Sequence, residues 1–153
     1  MRENELKPQF VMVIGGAGSG KNYFIEHHTV YSTYKLIDVD VIKGELGVSA
    51  AISQVKPMLL SAFKNHENIV HPSTAVNIKA AQNKIASAHQ HGYNVTLILI
   101  ATPPDLAVDQ VRTRVRQGGH DVAIDNIILS NKKARESFDI LSALVDSTKV
   151  VTN

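Results

Sequence analysis

The chain has 153 residues, 44% of them hydrophobic and 20% charged, with a formal net charge of +2 and no cysteine. That length predicts one domain over residues 1–153 with room for a real core, and the missing cysteines exclude a disulfide framework and thiolate chemistry. No apolar run reaches membrane-spanning length, and no signal-peptide core follows the charged residues Arg2, Glu3, Glu5 and Lys7, so the expectation is a cytoplasmic protein with no membrane partner.

Residues 10–14 (Phe-Val-Met-Val-Ile) form an unbroken apolar run, which predicts a strand buried on both faces of a parallel sheet. Four glycines then fall in six positions, 15–20, ahead of Lys21, and apolar residues resume at helical spacing to about His28. A second strand signal at 34–37 ends in Asp38-Val39-Asp40, with a short helical turn predicted over 41–44. A longer helix is predicted from Ser49 to about Asn65, with Pro57 as a kink or break. Residues 68–71 predict a third strand stopped by Pro72, after which Ser73 or Thr74 would cap a helix from Ala75 to His89, closed by Gly92. Residues 93–101 are the clearest strand. A helix from Asp105 to Arg116 follows Pro103-Pro104, then a polar loop at 117–122, a helix from Ile124 to about Leu144, and a last strand at 148–151. Strands alternating with helices predict a three-layer α/β fold with a parallel sheet, in which ligands bind beyond the carboxyl ends of the strands.

The glycine stretch carries the strongest chemistry. Gly15, four further residues and Gly20-Lys21 make a phosphate-binding loop, in which glycines let successive N–H groups point into one concavity and Lys21 reaches the β- and γ-phosphates. Gly15, Gly16, Ala17, Gly18, Ser19, Gly20, Lys21 and Asn22 are therefore the expected nucleotide cradle. The last position ordinarily holds Ser or Thr, whose hydroxyl ligates Mg²⁺; Asn22 offers an amide oxygen to the metal or to one of its waters. A dinucleotide-binding loop competes poorly, because its spacing is not met and Lys21 would be unexplained.

On the same rim, a kinase acting on a hydroxyl needs a carboxylate to receive or orient the acceptor proton. Asp40 is assigned that role, since Lys43 lies three residues on, and Asp38 is assigned to Mg²⁺ or the substrate; the structural alternative is that one of them caps the following helix. Arg112, Arg114 and Arg116 lie within five residues and lead into Gly118-Gly119, a candidate hinge for a lid over about 112–124. Arg112 and Arg116 share a helix face and Arg114 points away. Arg112 is expected to bind nucleotide, and Arg114 and Arg116 to answer charge on the transferring phosphoryl group, against the alternative of a solvated basic helix end. Thr74 on the turn after the third strand, and His120 in the lid, are expected at the substrate. His27, His28, His89 and His91 lie near helix ends, and the histidines together predict no metal site.

Three stretches together resemble the zeta-toxin-like P-loop kinases, a group similar also to the 5′-hydroxyl polynucleotide kinases. They are 15–22, then 37–43 (Ile-Asp-Val-Asp-Val-Ile-Lys), then 114–122 (Arg-Val-Arg-Gln-Gly-Gly-His-Asp-Val), and the resemblance spans nearly the whole chain. It implies a five-stranded parallel sheet in the order 2-3-1-4-5, with Lys21 on phosphate, Asp40 as catalytic base, Lys43 at the acceptor and Arg114 among the lid arginines. The chain departs from the group at Asn22, at Pro72-Ser73-Thr74 in place of an acidic turn, at Ala123 in place of proline, and at Ser130 in place of an arginine, with Lys132, Lys133 and Arg135 nearby.

The function expected is an ATP- and Mg²⁺-dependent kinase that transfers the γ-phosphate to a hydroxyl of a small molecule, nucleotide or nucleic acid. Its narrower version is a polynucleotide or hydroxymethylpyrimidine DNA kinase. The competing class is a non-catalytic nucleotide-binding module. An antitoxin-type partner is neither predicted nor excluded.

Overall fold

The computed structural model describes residues 7–119 and 122–152. Its centre is β1 (Gln9–Ile14), buried on both faces as the apolar run requires. Phe10, Met12 and Ile14 enter a core with Phe63, Ile85, Leu97 and Leu141, while Val11 and Val13 meet Phe24, Val70, Ile98 and Ile100 on the other face. Alternation along an extended chain sends successive side chains to opposite faces, so only a strand covered on both sides can be apolar throughout.

Five parallel strands lie in the order β2-β3-β1-β4-β5. The others are β2 (Lys35–Leu36), β3 (Ile69–Ser73), β4 (Asn94–Ala101) and β5 (Ser147–Thr152). The helices are α1 (Lys21–Glu26), α2 (Val39–Leu46), α3 (Val48–Lys64), α4 (Ile78–Gln90), α5 (Pro104–Arg116) and α6 (Ile124–Leu141). Ile14 pairs with Ser73 on one side and with Leu99 on the other, so the carboxyl ends of β1, β3 and β4 share one rim. Among the described residues no helix is long and apolar enough to cross a membrane.

Four boundaries differ from expectation, each for a local reason. First, α1 stops at Glu26 because the rings of His27 and His28 donate to the carbonyls of Tyr23 and Phe24 at 2.8 and 2.7 Å, and a short 3₁₀ turn, Thr29–Thr33, follows. Second, α2 begins at Val39, before the predicted turn, since Asp38 Oδ1 accepts from Asp40 N at 2.9 Å and caps it. Third, Pro57 does not break α3: it is exposed, and the face bearing Ala51, Val55, Leu59, Ala62 and Phe63 is buried continuously past it. Apolar burial on that face, about 1.5–3 kcal/mol for each large side chain, outweighs the one missing helical bond. Fourth, α4 starts at Ile78 under Asn77, whose side chain accepts from Ala80 N at 3.0 Å, whereas Ser73 Oγ accepts from Ala75 N at 3.0 Å and shapes the turn instead.

Pro72 also lies inside β3, opposite Val13, rather than stopping it. Ile37 N donates to Val70 O at 3.1 Å, so regular parallel pairing would next bring the N–H of residue 72 to Ile37 O. Proline has no N–H. The ring of His71 takes its place, with Nδ1 at 2.6 Å from Ile37 O.

Candidate active site

The glycine loop between β1 and α1 is held by other elements at several points. Gly15 N donates to Ser73 O at 3.2 Å, and Thr102 Oγ1, just past β4, donates to Ser19 O at 2.6 Å. From α6, Ser130 Oγ accepts from Ala17 N and Asn131 Nδ2 donates to Ala17 O, both at 2.9 Å. Gly16 lies against the backbone and side chain of Asn131, where a Cβ would overlap them; Gly18, at φ 71°, lies as tightly against Ala107 and Val111 of α5. Close approach and a positive φ are what these two glycines provide.

Lys21 Nζ donates to Gly15 O at 2.8 Å and Gly16 O at 3.1 Å, so its ammonium sits within the loop. Burial pulls its pKa down to about 8, against the attraction of Asp40 and Asp38 and together with repulsion from Arg114. Two carboxylates and a guanidinium thus lie within electrostatic reach of the Lys21 ammonium. Asp38 is buried while capping α2, and desolvation raises its pKa. Asp40, in the first turn of α2, is exposed and pairs with Lys43 at 3.8 Å. The strand has already turned into a helix at these residues, which lets both carboxylates feel Lys21.

The segment carrying the carboxylates hangs from β2 and is tied down by His71. A carbonyl only accepts, so Nδ1 of His71 carries the proton toward Ile37 O, and Nε2 accepts from Lys84 Nζ at 3.0 Å. Burial, with Lys84 adding to it, pushes His71 down to about 4 and keeps the ring neutral.

The arginines divide as their spacing predicts. Arg114 lies in electrostatic reach of Lys21, while Arg112 and Arg116 line a groove of about 460 Å³ between α5 and the start of α6, with Val108, Val115, Val122 and Ile127. Arg116 and Arg114 are therefore not brought together at the loop. Asn22 is exposed in the first turn of α1, and Thr74 is exposed in the turn beyond β3. His120 lies outside the described residues.

With the geometry in view, the family follows. A family model described as an AAA domain, AAA_33, matches residues 10–136. The chain belongs to the AAA_33 P-loop kinase family. The AAA_33 fold is shared with a chain from the PezAT chromosomal toxin–antitoxin system of Streptococcus pneumoniae, at TM-score 0.76 and 17% identity over 99% of this chain and 71% of that one. A chain from the Pnkp1/Rnl/Hen1 RNA repair complex superposes at TM-score 0.71 and 16% identity, over 88% of this chain and 46% of that one. A protein from Chloroflexus aurantiacus superposes at TM-score 0.70 and 15% identity, over 95% and 88%. No curated protein sequence matches the chain significantly.

Within this AAA_33 chain, sequence reasoning set His71 and Thr102 on the rim without a role, missed Asn131, and read Ser130 only as a departure. The available signal was in α6, where Asn131 and Ser137 sit among Ile127, Ala134 and Leu141 on the buried face.

Proposed function

We propose that the protein is a kinase that transfers the γ-phosphate of ATP to a hydroxyl group. The observation that carries this reading is the glycine loop with the Lys21 ammonium seated in it, within electrostatic reach of Asp38, Asp40 and Arg114. Phosphoryl transfer is catalysed mainly by positioning and by charge opposite the moving phosphoryl oxygens, and these groups supply both. Lys21 releases Gly15 O and Gly16 O to meet the β- and γ-phosphates. Asp40 accepts the acceptor's hydroxyl proton as that oxygen bonds to the γ-phosphorus and the bond to the bridging oxygen of ADP breaks. Arg114 answers charge on the phosphoryl oxygens, and Lys43 holds Asp40 until the acceptor arrives.

The oxygen donors fit Mg²⁺. Among the described residues no group of three His, Cys, Asp or Glu forms a cage, and Mg²⁺ ordinarily takes one or two carboxylates with substrate phosphates and water. Asn22 Oδ1 and the buried Asp38 carboxylate are the residues that would hold the ion or its waters. Bound there with nucleotide, it supplies neutralisation of phosphate charge.

The side chain of Asp40 is 81% exposed, which suits a bulky acceptor and favours, as a second reading, a polynucleotide end or a hydroxymethylated base in DNA. The test is incubation with γ-labelled ATP and Mg²⁺ against two pools: DNA with 5′-hydroxyl ends or hydroxymethyl bases, and nucleotide-sugars. Label reaching either pool with the wild type, and not with Asp40→Asn, establishes the kinase and selects its branch. ATP binding without transfer to any acceptor supports the non-catalytic module, and failure to bind ATP removes the reading altogether.

A further inference from the structure

Of the bonds that hold the phosphate loop from outside, two fall on one residue. Both polar groups of Ala17, its N–H and its C=O, are taken by side chains of consecutive residues of α6, Ser130 and Asn131. These side chains are themselves anchored: Ser130 Oγ donates to Ile127 O at 3.1 Å and Asn131 Nδ2 donates to Ile127 O at 2.8 Å. Two carbonyl partners settle which end of the Asn131 amide is nitrogen. Neither residue type favours a helix interior, and Asn131 is buried, where an apolar side chain would pack without a polar group to satisfy. Helix formation and packing thus argue against these residues, and the bonds to Ala17 argue for them.

Their position is as informative as their bonds. The loop crown is wedged between α5, which touches Gly18, and α6, which touches Gly16. Those are the two helices that enter and leave the proposed lid. Two turns further along α6, Ser137 Oγ donates to Ala75 O at 2.7 Å, at the turn beyond β3 where Ala75 holds φ 55°. One helix therefore contacts the donor loop and the turn opposite it.

We propose that Ser130 and Asn131 are positioning residues for the donor nucleotide: by fixing the Ala17 peptide groups they orient the loop amides that follow. This rests on the nucleotide-binding reading above. Nucleotide affinity then depends on two side chains that do not touch the nucleotide.

The test is calorimetric titration of the full chain with Mg²⁺ and the β,γ-imido analogue of ATP, alongside the melting temperature of each unliganded variant. Ser130→Ala and Asn131→Leu are each expected to weaken binding about tenfold, as loss of the bond to a part-buried peptide group implies. Ser130→Thr, which keeps the hydroxyl, is expected to restore it. Ser137→Ala removes a comparable α6 bond two turns away and is expected to bind as the wild type does. Should Ser130→Ala and Asn131→Leu bind as the wild type, the inference falls. It falls equally if Ser137→Ala weakens binding as much as they do, since the effect would then be general loosening of α6. A wild type that binds no nucleotide overturns the functional reading itself, and the inference with it.

Discussion

Lys21 is the residue whose ionisation the fold controls most visibly. Desolvation brings it to about 8, from an ordinary 10.5, although Asp40 and Asp38 pull the other way. Only the ammonium binds phosphate, so ATP association is expected to fall above pH 8, by up to about tenfold per pH unit, in titrations between pH 7 and 10. Lys21→Ala should remove both the binding and its pH dependence. The stability sign is opposite to that of a paired lysine: between pH 8 and 10.5 the unfolded chain holds the extra proton, so this group's contribution to stability rises with pH across that window. His71 acts at the other end of the scale. Its folded value of about 4 lies below the ordinary 6.5, so the unfolded chain protonates first, and stability is lost as pH falls through that window by up to about 1.4 kcal/mol per unit. His71→Asn, which cannot titrate, is expected to flatten this acid limb in urea unfolding midpoints measured from pH 7 to 4. The two residues differ in legibility for a physical reason. A glycine loop ending in lysine states its chemistry in the chain itself. The role of His71 arises only because Pro72 lacks an N–H and β2 lies beside it.

At the scale of elements, α2 carries the proposed chemistry. Asp38 begins the helix and Asp40 rides its first turn, so one element sets both carboxylates. Asp40→Asn is expected to lower the transfer rate at least about a hundredfold while leaving ATP affinity unchanged, measured as initial rate against calorimetric binding. Asp38→Ala is expected to cost about 1 kcal/mol of stability through the lost cap, and to reduce transfer as well, because Asp40 loses its fixed starting point. Strands β1 and β4 and helix α5 are readable as composition: apolar runs buried on both faces, or a proline start followed by a basic end. Three of the four misread boundaries were set by side chains reaching backbone groups, at His27, Asp38 and Asn77, and the fourth, at Pro57, by burial of one face of α3. Such bonds leave no periodic signal. The grip of Thr102 and of α6 on the loop was hidden for a related reason, since it spans 83 to 114 residues of sequence.

At the scale of the whole molecule, the glycine loop is bonded to the ends of β3 and β4 and to α6, so nucleotide seated there braces most of the fold. ATP at about a hundred times its Kd is expected to stabilise the protein by about 2.7 kcal/mol and raise Tm by about 5–10 °C in scanning calorimetry, with no shift for Lys21→Ala. Among the described residues nothing comparable braces the β2 edge. β2 is two residues long, and Lys35 N to Asn68 O at 2.8 Å and Ile37 N to Val70 O at 3.1 Å are its backbone bonds to β3, with His71 as a side-chain rivet. Amide hydrogens of Lys35 and Ile37 should therefore exchange with solvent well before those of β1 and β4. An edge that opens so readily can be reshaped by substitution while the donor loop keeps its form. On the proposed kinase reading, inheritance can then change the phosphoryl acceptor without relearning how to hold the nucleotide.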